Sequence, residues 1–240
     1  MLYIVLPYKD RNGKYKCALE NFLQPFIKYL DGFSNKYEII IVEQLGGSIS
    51  NTLPNYYESL VSSLQIKDDE FFNLGRTINI GYDILKDKIS ENDIFMFHPV
   101  DLLPIDVNYF VNKTTKFCFK EHSPDGRYYK SIVFKSTDFE QVNGFSNKYW
   151  GWGLEDDDMF IRIQSKNINY DTKINNYHRL SSDGNGLDGI NHFAPLYTSN
   201  QRFIYEIQSS RDPFISGLND LSYKLISIEK YNNINKYIIE

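Results

Sequence analysis

Four consecutive acids, Glu155, Asp156, Asp157 and Asp158, follow closely on Trp150 and Trp152 in the stretch "YWGWGLEDDDMF". An apolar helical pattern begins behind them, so they occupy a first helical turn, where carboxylates meet the positive end of the helix dipole. That attraction is worth a few tenths to about 1 kcal/mol per acid. Adjacent carboxylates also repel, so the dipole accounts for one or two acids and not for four. The other chemistry open to such a group is proton abstraction by one carboxylate while its neighbours hold a polar substrate. A tryptophan beside it offers a flat face to sugar C–H groups or a nucleobase. Asp101, in "FMFHPVDLLP", follows a buried apolar run. An acid there is either a ligand for a divalent ion that bridges phosphates or a turn cap before Pro104. Lys9 and Arg11, in "PYKDR", are either phosphate contacts or a solvated basic pair.

These residues need a scaffold, and 240 residues at 42% apolar and 16% aromatic can bury a sizeable core. A net charge of −5 argues against a nucleic-acid surface. The two cysteines, Cys17 and Cys118, exclude a disulfide framework or a Cys-rich zinc site and read as free thiols of a reducing compartment. No stretch reaches the ~18 apolar residues of a membrane span. With "MLYIVLPYKD" at the start, the expectation is a soluble, cytoplasmic chain. Strands are predicted at 2–6, 37–44, 93–98, 116–120, 128–135, 221–231 and 236–240. Helices are predicted at about 14–31 (kinked or divided at Pro25), 53–65, 75–86, just after 135, 155–166 and 195–209, with a Gly-rich loop at 181–189. Strands alternating with helices indicate an α/β layer architecture with a mostly parallel central sheet and flanking helices. In such sheets ligands bind beyond the carboxyl ends of the strands. No repeat or linker is evident, so one domain over 1–240 is expected, with halves at about 1–115 and 116–240.

Taken together, the motifs resemble the β-1,4-galactosyltransferases, including the xylosylprotein β-1,4-galactosyltransferase branch. "PYKDR", "FFNLGRTINIGYD", "FHPVDLLP", "VNGFSNKYWGWGLEDDDMF" and "SGLNDLSYKLISIEKY" follow the family's segments in the family's order, from about residue 3 to 231. The resemblance implies a GT-A nucleotide-diphospho-sugar transferase fold. It also implies an inverting transfer of a hexose, most simply galactose, from a UDP-sugar donor to a glycan hydroxyl, with manganese as cofactor. Asp156 would be the general base, with Glu155, Asp157 and Trp152 at the acceptor. Pro7, Tyr8, Lys9, Arg11, Phe72, Asn73, Arg76, Asp101 and Trp152 would serve the donor, and Asp101 with His178 the metal.

The chain departs from the family at defined places. Pro99 replaces the first acid of the DxD motif, and Leu180 replaces the second histidine of an H-x-H pair that begins at His178. Tyr129 and Lys130 fall where the family carries two glycines, and Lys130 is able to pair with a diphosphate. Leu74 replaces the arginine of F-N-R, with Arg76 nearby. These changes leave two alternatives: a non-catalytic glycan-binding member, or a metal-independent transferase in which Lys9, Arg11 or Lys130 supplies the positive charge.

Overall fold

The computed structural model describes residues 1–9, 16–45, 72–126, 129–151, 153–180, 212–231 and 234–240, with side chains from residue 19 onward in the second of these segments. The expected helices at 53–65 and 195–209, the loop at 181–189, Arg11 and Trp152 lie outside the described residues.

In chain order the elements are β1 (Leu2–Tyr8), α1 (Lys16–Asp31), β2 (Tyr37–Gln44), α2 (Leu74–Leu85), β3 (Ile94–Phe97), β4 (Leu102–Pro104) and β5 (Thr115–Phe119). Then follow β6 (Ser131–Lys135), α3 (Ser136–Gln141), α4 (Glu155–Ser165), β7 (Asp171–Asn175), β8 (Tyr177–Arg179), β9 (Leu225–Tyr231) and β10 (Ile234–Ile239). Eight strands form one sheet in the order β7-β5-β6-β3-β1-β2-β10-β9, while β4 and β8 pair separately. The β1–β2, β1–β3, β2–β10 and β5–β7 pairings are parallel and the other three are antiparallel. The sheet is therefore mostly parallel, as expected.

Both faces of the central strands are covered, which is why β1 reads as an unbroken apolar run. Leu2, Ile4 and Leu6 pack with Phe22, Leu23, Phe26 and Leu30 of α1. Tyr3 and Val5 point the other way, into a cluster with Ile78 and Ile80 of α2, Phe139 of α3 and Met159 and Ile163 of α4. Pro25 does not divide α1, which runs unbroken from Lys16 to Asp31. Pro25 and Asn21 both lie on the exposed side, where the Asn21 carbonyl that proline leaves without an N–H faces water. The strands β4, β7 and β8 were not separable from loops in the sequence. Almost every residue of β7 is exposed, so it lacks the apolar alternation by which strands are read.

Directions in the sheet bring many chain segments to one edge. The carboxyl ends of β1, β2, β3 and β5 lie there, and because β6 runs antiparallel to β3, its beginning arrives at the same edge. A buried histidine stabilises the corner. His98 is fully buried, stacked on Phe22 and Phe26, with Nδ1 2.8 Å from the Pro99 carbonyl and Nε2 2.7 Å from the Tyr109 hydroxyl. A carbonyl can only accept, so Nδ1 carries the proton and Nε2 accepts from Tyr109. The Tyr109 hydroxyl lies 3.5 Å from that of Tyr177, which joins the end of β3 to the start of β8.

Burial lowers the His98 pKa to about 3, so the ring is neutral in the fold. Above pH ~6.5 the unfolded ring is neutral too, and no stability is lost. As pH falls from there towards the folded pKa, the unfolded chain takes up a proton that the fold refuses. The native state then loses about 1.4 kcal/mol per pH unit from this group. The stability gap between the parent and His98→Gln should accordingly shrink by roughly 2 kcal/mol between pH 7.5 and pH 5, read by urea denaturation. A constant gap would mean that His98 titrates as an ordinary exposed histidine.

Candidate active site

The WGWG stretch turns because its glycines adopt a left-handed backbone. Gly151 and Gly153 have φ of 74° and 101°, and Leu154 follows at 74°, unusual for a residue with a side chain. Leu154 is the N-cap of α4, makes no side-chain cap, and packs against buried Tyr149. A non-glycine residue held there costs on the order of 1–3 kcal/mol and persists only when its surroundings over-determine it.

Those surroundings are the other motifs. Asn79 of α2 donates to the Phe145 carbonyl (2.7 Å) and to Asn147 Oδ1 (2.9 Å), and accepts from the Phe145 N–H (2.9 Å). Asn73 caps α2 by accepting from the Arg76 N–H (2.9 Å), and its Nδ2 donates to the Asn147 carbonyl (2.8 Å). The Phe72 carbonyl accepts from the Gly151 N–H at 2.9 Å. A Cβ on Gly75 would fall 2.7 Å from the Ser146 carbonyl oxygen and 2.9 Å from Phe145 Cβ, so only glycine allows this approach. On the far side, Asn143 Nδ2 donates to the Phe214 carbonyl (3.0 Å) and to Asn219 Oδ1 (2.8 Å), and Asn147 Nδ2 donates to the Gly217 carbonyl (2.7 Å). Thus the F-N, N-G-F and G-L-N segments lock together behind the acids. Trp150, 2% exposed, belongs to this core and offers no face to a sugar.

The four acids divide by environment. Asp158 is fully buried and pairs with Arg162 one turn on, Oδ2 to Nε 2.7 Å. Arg162 also donates to the carbonyls of Val142 (3.3 Å), Gly144 (3.2 Å) and Ser216 (2.8 Å). Asp158 is therefore structural. Asp157 is the exposed member, while Glu155 and Asp156 are half-buried. The Glu155 carboxylate accepts from its own N–H and that of Gly153, tying it to the turn. Burial, reinforced by the neighbouring Asp156 charge, holds Glu155 well above the usual carboxylate range. Burial also raises Asp156, to about 6, while the Lys130 charge and the adjacent Tyr129 hydroxyl pull it back. Tyr129 is itself buried, its hydroxyl 3.4 Å from the Asp156 carbonyl oxygen. Burial and these acids keep Tyr129 protonated, so it acts as a donor.

The β4–β8 ladder is a separate two-stranded sheet. Leu102 pairs with Arg179 and Leu103 with His178, and the Leu180 N–H reaches the Asp101 carbonyl at 2.8 Å. Alternation puts Asp101 and His178 on one face with Leu180 directly across from Asp101, and the Leu180 side chain packs on the core. Arg179 Nη2 lies 3.0 Å from His122 Nε2. Burial first, then the charges of Arg179 and Lys130, lower the His122 pKa, and Asp101 opposes them. Among the described residues, no three His, Cys, Asp or Glu side chains converge as a metal cluster.

A family model described as the N-terminal domain of galactosyltransferase matches residues 122–182, which hold Tyr129, Lys130, the acids and the β8 strand. The xylosylprotein 4-β-galactosyltransferase of Caenorhabditis elegans is 27% identical over 94% of this chain and 72% of its own length. Human β-1,4-galactosyltransferase 4 is 31% identical over 94% of this chain and 59% of its own. The chain is similar to β-1,4-galactosyltransferases over nearly all of its length. It spans about half of the mouse β-1,4-galactosyltransferase 1 that it matches (51%). The fold agrees with the catalytic domain of Drosophila β-1,4-galactosyltransferase 7, at TM-score 0.66 and 19% identity over 99% of this chain and 92% of that one, in a mutant complexed with manganese, UDP-Gal and xylobiose. The GT-A architecture expected from the motifs is therefore the one present.

Within this β-1,4-galactosyltransferase fold the sequence-derived site residues meet unevenly. Pro7, Tyr8 and Lys9 end β1 at the shared edge, and Lys9 is buried there. The Asn73 side chain is committed to capping α2 and holding Asn147. Arg76 is committed to the chain's end: its Nε (3.1 Å) and Nη2 both donate to the Ser222 carbonyl. Asp101 and His178 are both exposed on one ladder face. Sequence reasoning missed the Asp158–Arg162 pair, although its D-x-x-x-R spacing was readable, and it missed the pairing of His122 with Arg179, which only the fold creates.

Asp158→Ala should cost about 3–5 kcal/mol in urea denaturation, because Arg162 is left buried without its counter-charge. Asp157→Ala should stay within about 0.5 kcal/mol. Small, equal losses would place Asp158 among the solvent-facing acids instead.

Proposed function

We propose that this chain transfers galactose from UDP-galactose to a glycan hydroxyl, with Asp156 as the general base. The observation that carries the reading is the Glu155–Asp156 pair. It is half-buried at the carboxyl edge of the sheet, raised in pKa yet still ionised at neutral pH at Asp156, and braced by Tyr129 and the WGWG turn. A base with a pKa of about 6 suits proton abstraction near neutrality. In the step, the acceptor hydroxyl gives its proton to the Asp156 carboxylate while its oxygen bonds the anomeric carbon from the face opposite UDP. The bond from that carbon to the β-phosphate oxygen breaks and UDP leaves with the electron pair, inverting the centre.

Glu155 and Asp157 are proposed to hold sugar hydroxyls, and Pro7, Tyr8, Lys9, Arg11, Phe72 and Trp152 to serve the uridine diphosphate. Asn73 and Arg76, as part of the scaffold, would shape this pocket indirectly. The named relatives and the fly structure, whose printed ligands are manganese, UDP-Gal and xylobiose, support galactosyl transfer. Towards a divalent cation the described residues offer two side chains, Asp101 and His178, with Leu180 standing where a third donor is needed and Pro99 where the other acid is needed. This falls short of a complete site, and no step here is routed through a metal. Among the described residues no helix is long and apolar enough to cross a membrane.

The test is transfer from UDP-galactose to xylobiose and related glycosides. Asp156→Asn should lower turnover by about 10²–10⁴-fold while UDP affinity, read by calorimetry, stays within a factor of two or so. In the parent, turnover should fall as pH drops below about 6, because the base is then protonated. Near-normal turnover by the Asn variant would remove Asp156 from this role.

A further inference from the structure

Three departures from the family pattern converge at the end of β3. The β3–β6 register runs Ile94↔Lys135, Phe95↔Phe134, Met96↔Val133. Extended past the paired residues, the same register would bring Lys130, just before β6, level with Pro99, just after β3. The neighbouring contacts are the Ser131 hydroxyl, which donates to the Phe97 carbonyl at the end of β3, and the Lys130 N–H, which donates to the Phe117 carbonyl of β5 at 2.9 Å. A carboxylate is thus missing from one strand end and an ammonium stands just before the strand that pairs with it. The third departure, Leu180, lies just past β8, opposite Asp101, with its half-buried side chain against the edge of the core.

The electrostatics agree with that placement. The Lys130 charge lowers the pKa of both Asp156 and His122. Relative to the family pattern, this edge has lost one negative charge and one imidazole donor and gained one positive charge. A site that receives a nucleoside diphosphate needs positive charge at the two phosphates, and a fixed ammonium provides it without a metal's ligand set.

We infer that Lys130 binds the diphosphate of the donor, taking over charge neutralisation that a divalent cation would otherwise supply, so that nucleotide binding in this chain does not depend on metal. This rests on the donor reading of the previous subsection. Lys130 is half-buried and follows Tyr129, whose hydroxyl donates to the main-chain carbonyl of Asp156 and so holds the backbone that carries the base. The same two-residue segment therefore serves both substrates: Tyr129 positions the base and Lys130 holds the leaving group.

The experiment is calorimetric titration of UDP into the parent, Lys130→Gln and Lys130→Arg, each in EDTA and in manganese, with thermal melts confirming that the variants fold. The parent should bind UDP in EDTA with little gain from manganese. Lys130→Gln should weaken binding in EDTA by on the order of 10-fold or more, as expected for a charge-assisted contact, and Lys130→Arg should restore most of it. Raising salt should weaken UDP binding by the parent more than by Lys130→Gln. Two results overturn the inference alone: UDP binding by the parent that vanishes in EDTA, or a Lys130→Gln variant that binds as the parent does. Absence of UDP binding in every condition overturns the donor reading itself and this inference with it.

Discussion

The buried pair of Asp158 and Arg162 is the interaction on which the candidate site depends. One guanidinium holds a carboxylate of its own helix and three backbone carbonyls from two other segments, at Val142, Gly144 and Ser216. Breaking such a pair on one side costs about 3–5 kcal/mol, against about 1 kcal/mol for a helix cap. It therefore outweighs local capping in setting where α4 begins. Glu155 and Asp156 sit within one turn of that anchor and inherit its rigidity. The left-handed Leu154 just before them is tolerable because both flanks are held, by Arg162 behind and by the asparagine network around residues 143–147.

This arrangement explains how adjacent acids coexist. Asp158 is neutralised by Arg162, and Asp157 is solvated. The Glu155 carboxylate takes two N–H groups of the turn, and Asp156 faces Tyr129 and Lys130. Repulsion that would be severe for four equivalent carboxylates is dispersed into four different surroundings. Desolvation is the largest influence on each of them. Helix-dipole attraction favours the same positions but is too weak to hold the buried ones ionised.

The opposite wall of the edge is organised by aromatic packing. His98, stacked between the α1 phenylalanines and the β3 end, is hydrogen-bonded to Tyr109, whose hydroxyl reaches towards Tyr177 at the start of β8. The β4–β8 ladder is thus fastened to the main core through a neutral imidazole. This puts Asp101 and His178 on a shared, exposed face, with Leu180 half-buried beside them.

The sequence by itself determined the strands β1, β2, β3, β5 and β6, because burial on both faces or a short apolar run leaves a pattern that neighbouring residues alone reveal. It determined the helix opening at Glu155 and, through the order of its motifs, the family resemblance. It also exposed the changes at Pro99, Lys130 and Leu180, since a substitution in a motif needs no coordinates to be seen. What each motif residue does was decided by the tertiary structure. Asn73, Asn79, Asn143 and Asn147 read as one family signature, yet their partners lie between 66 and 76 residues away along the chain. Asp156 and Asp158 are indistinguishable as letters. One faces Tyr129 and Lys130 and the other is sealed against Arg162, because the helix turns successive side chains by about 100° and the core covers only one side of it.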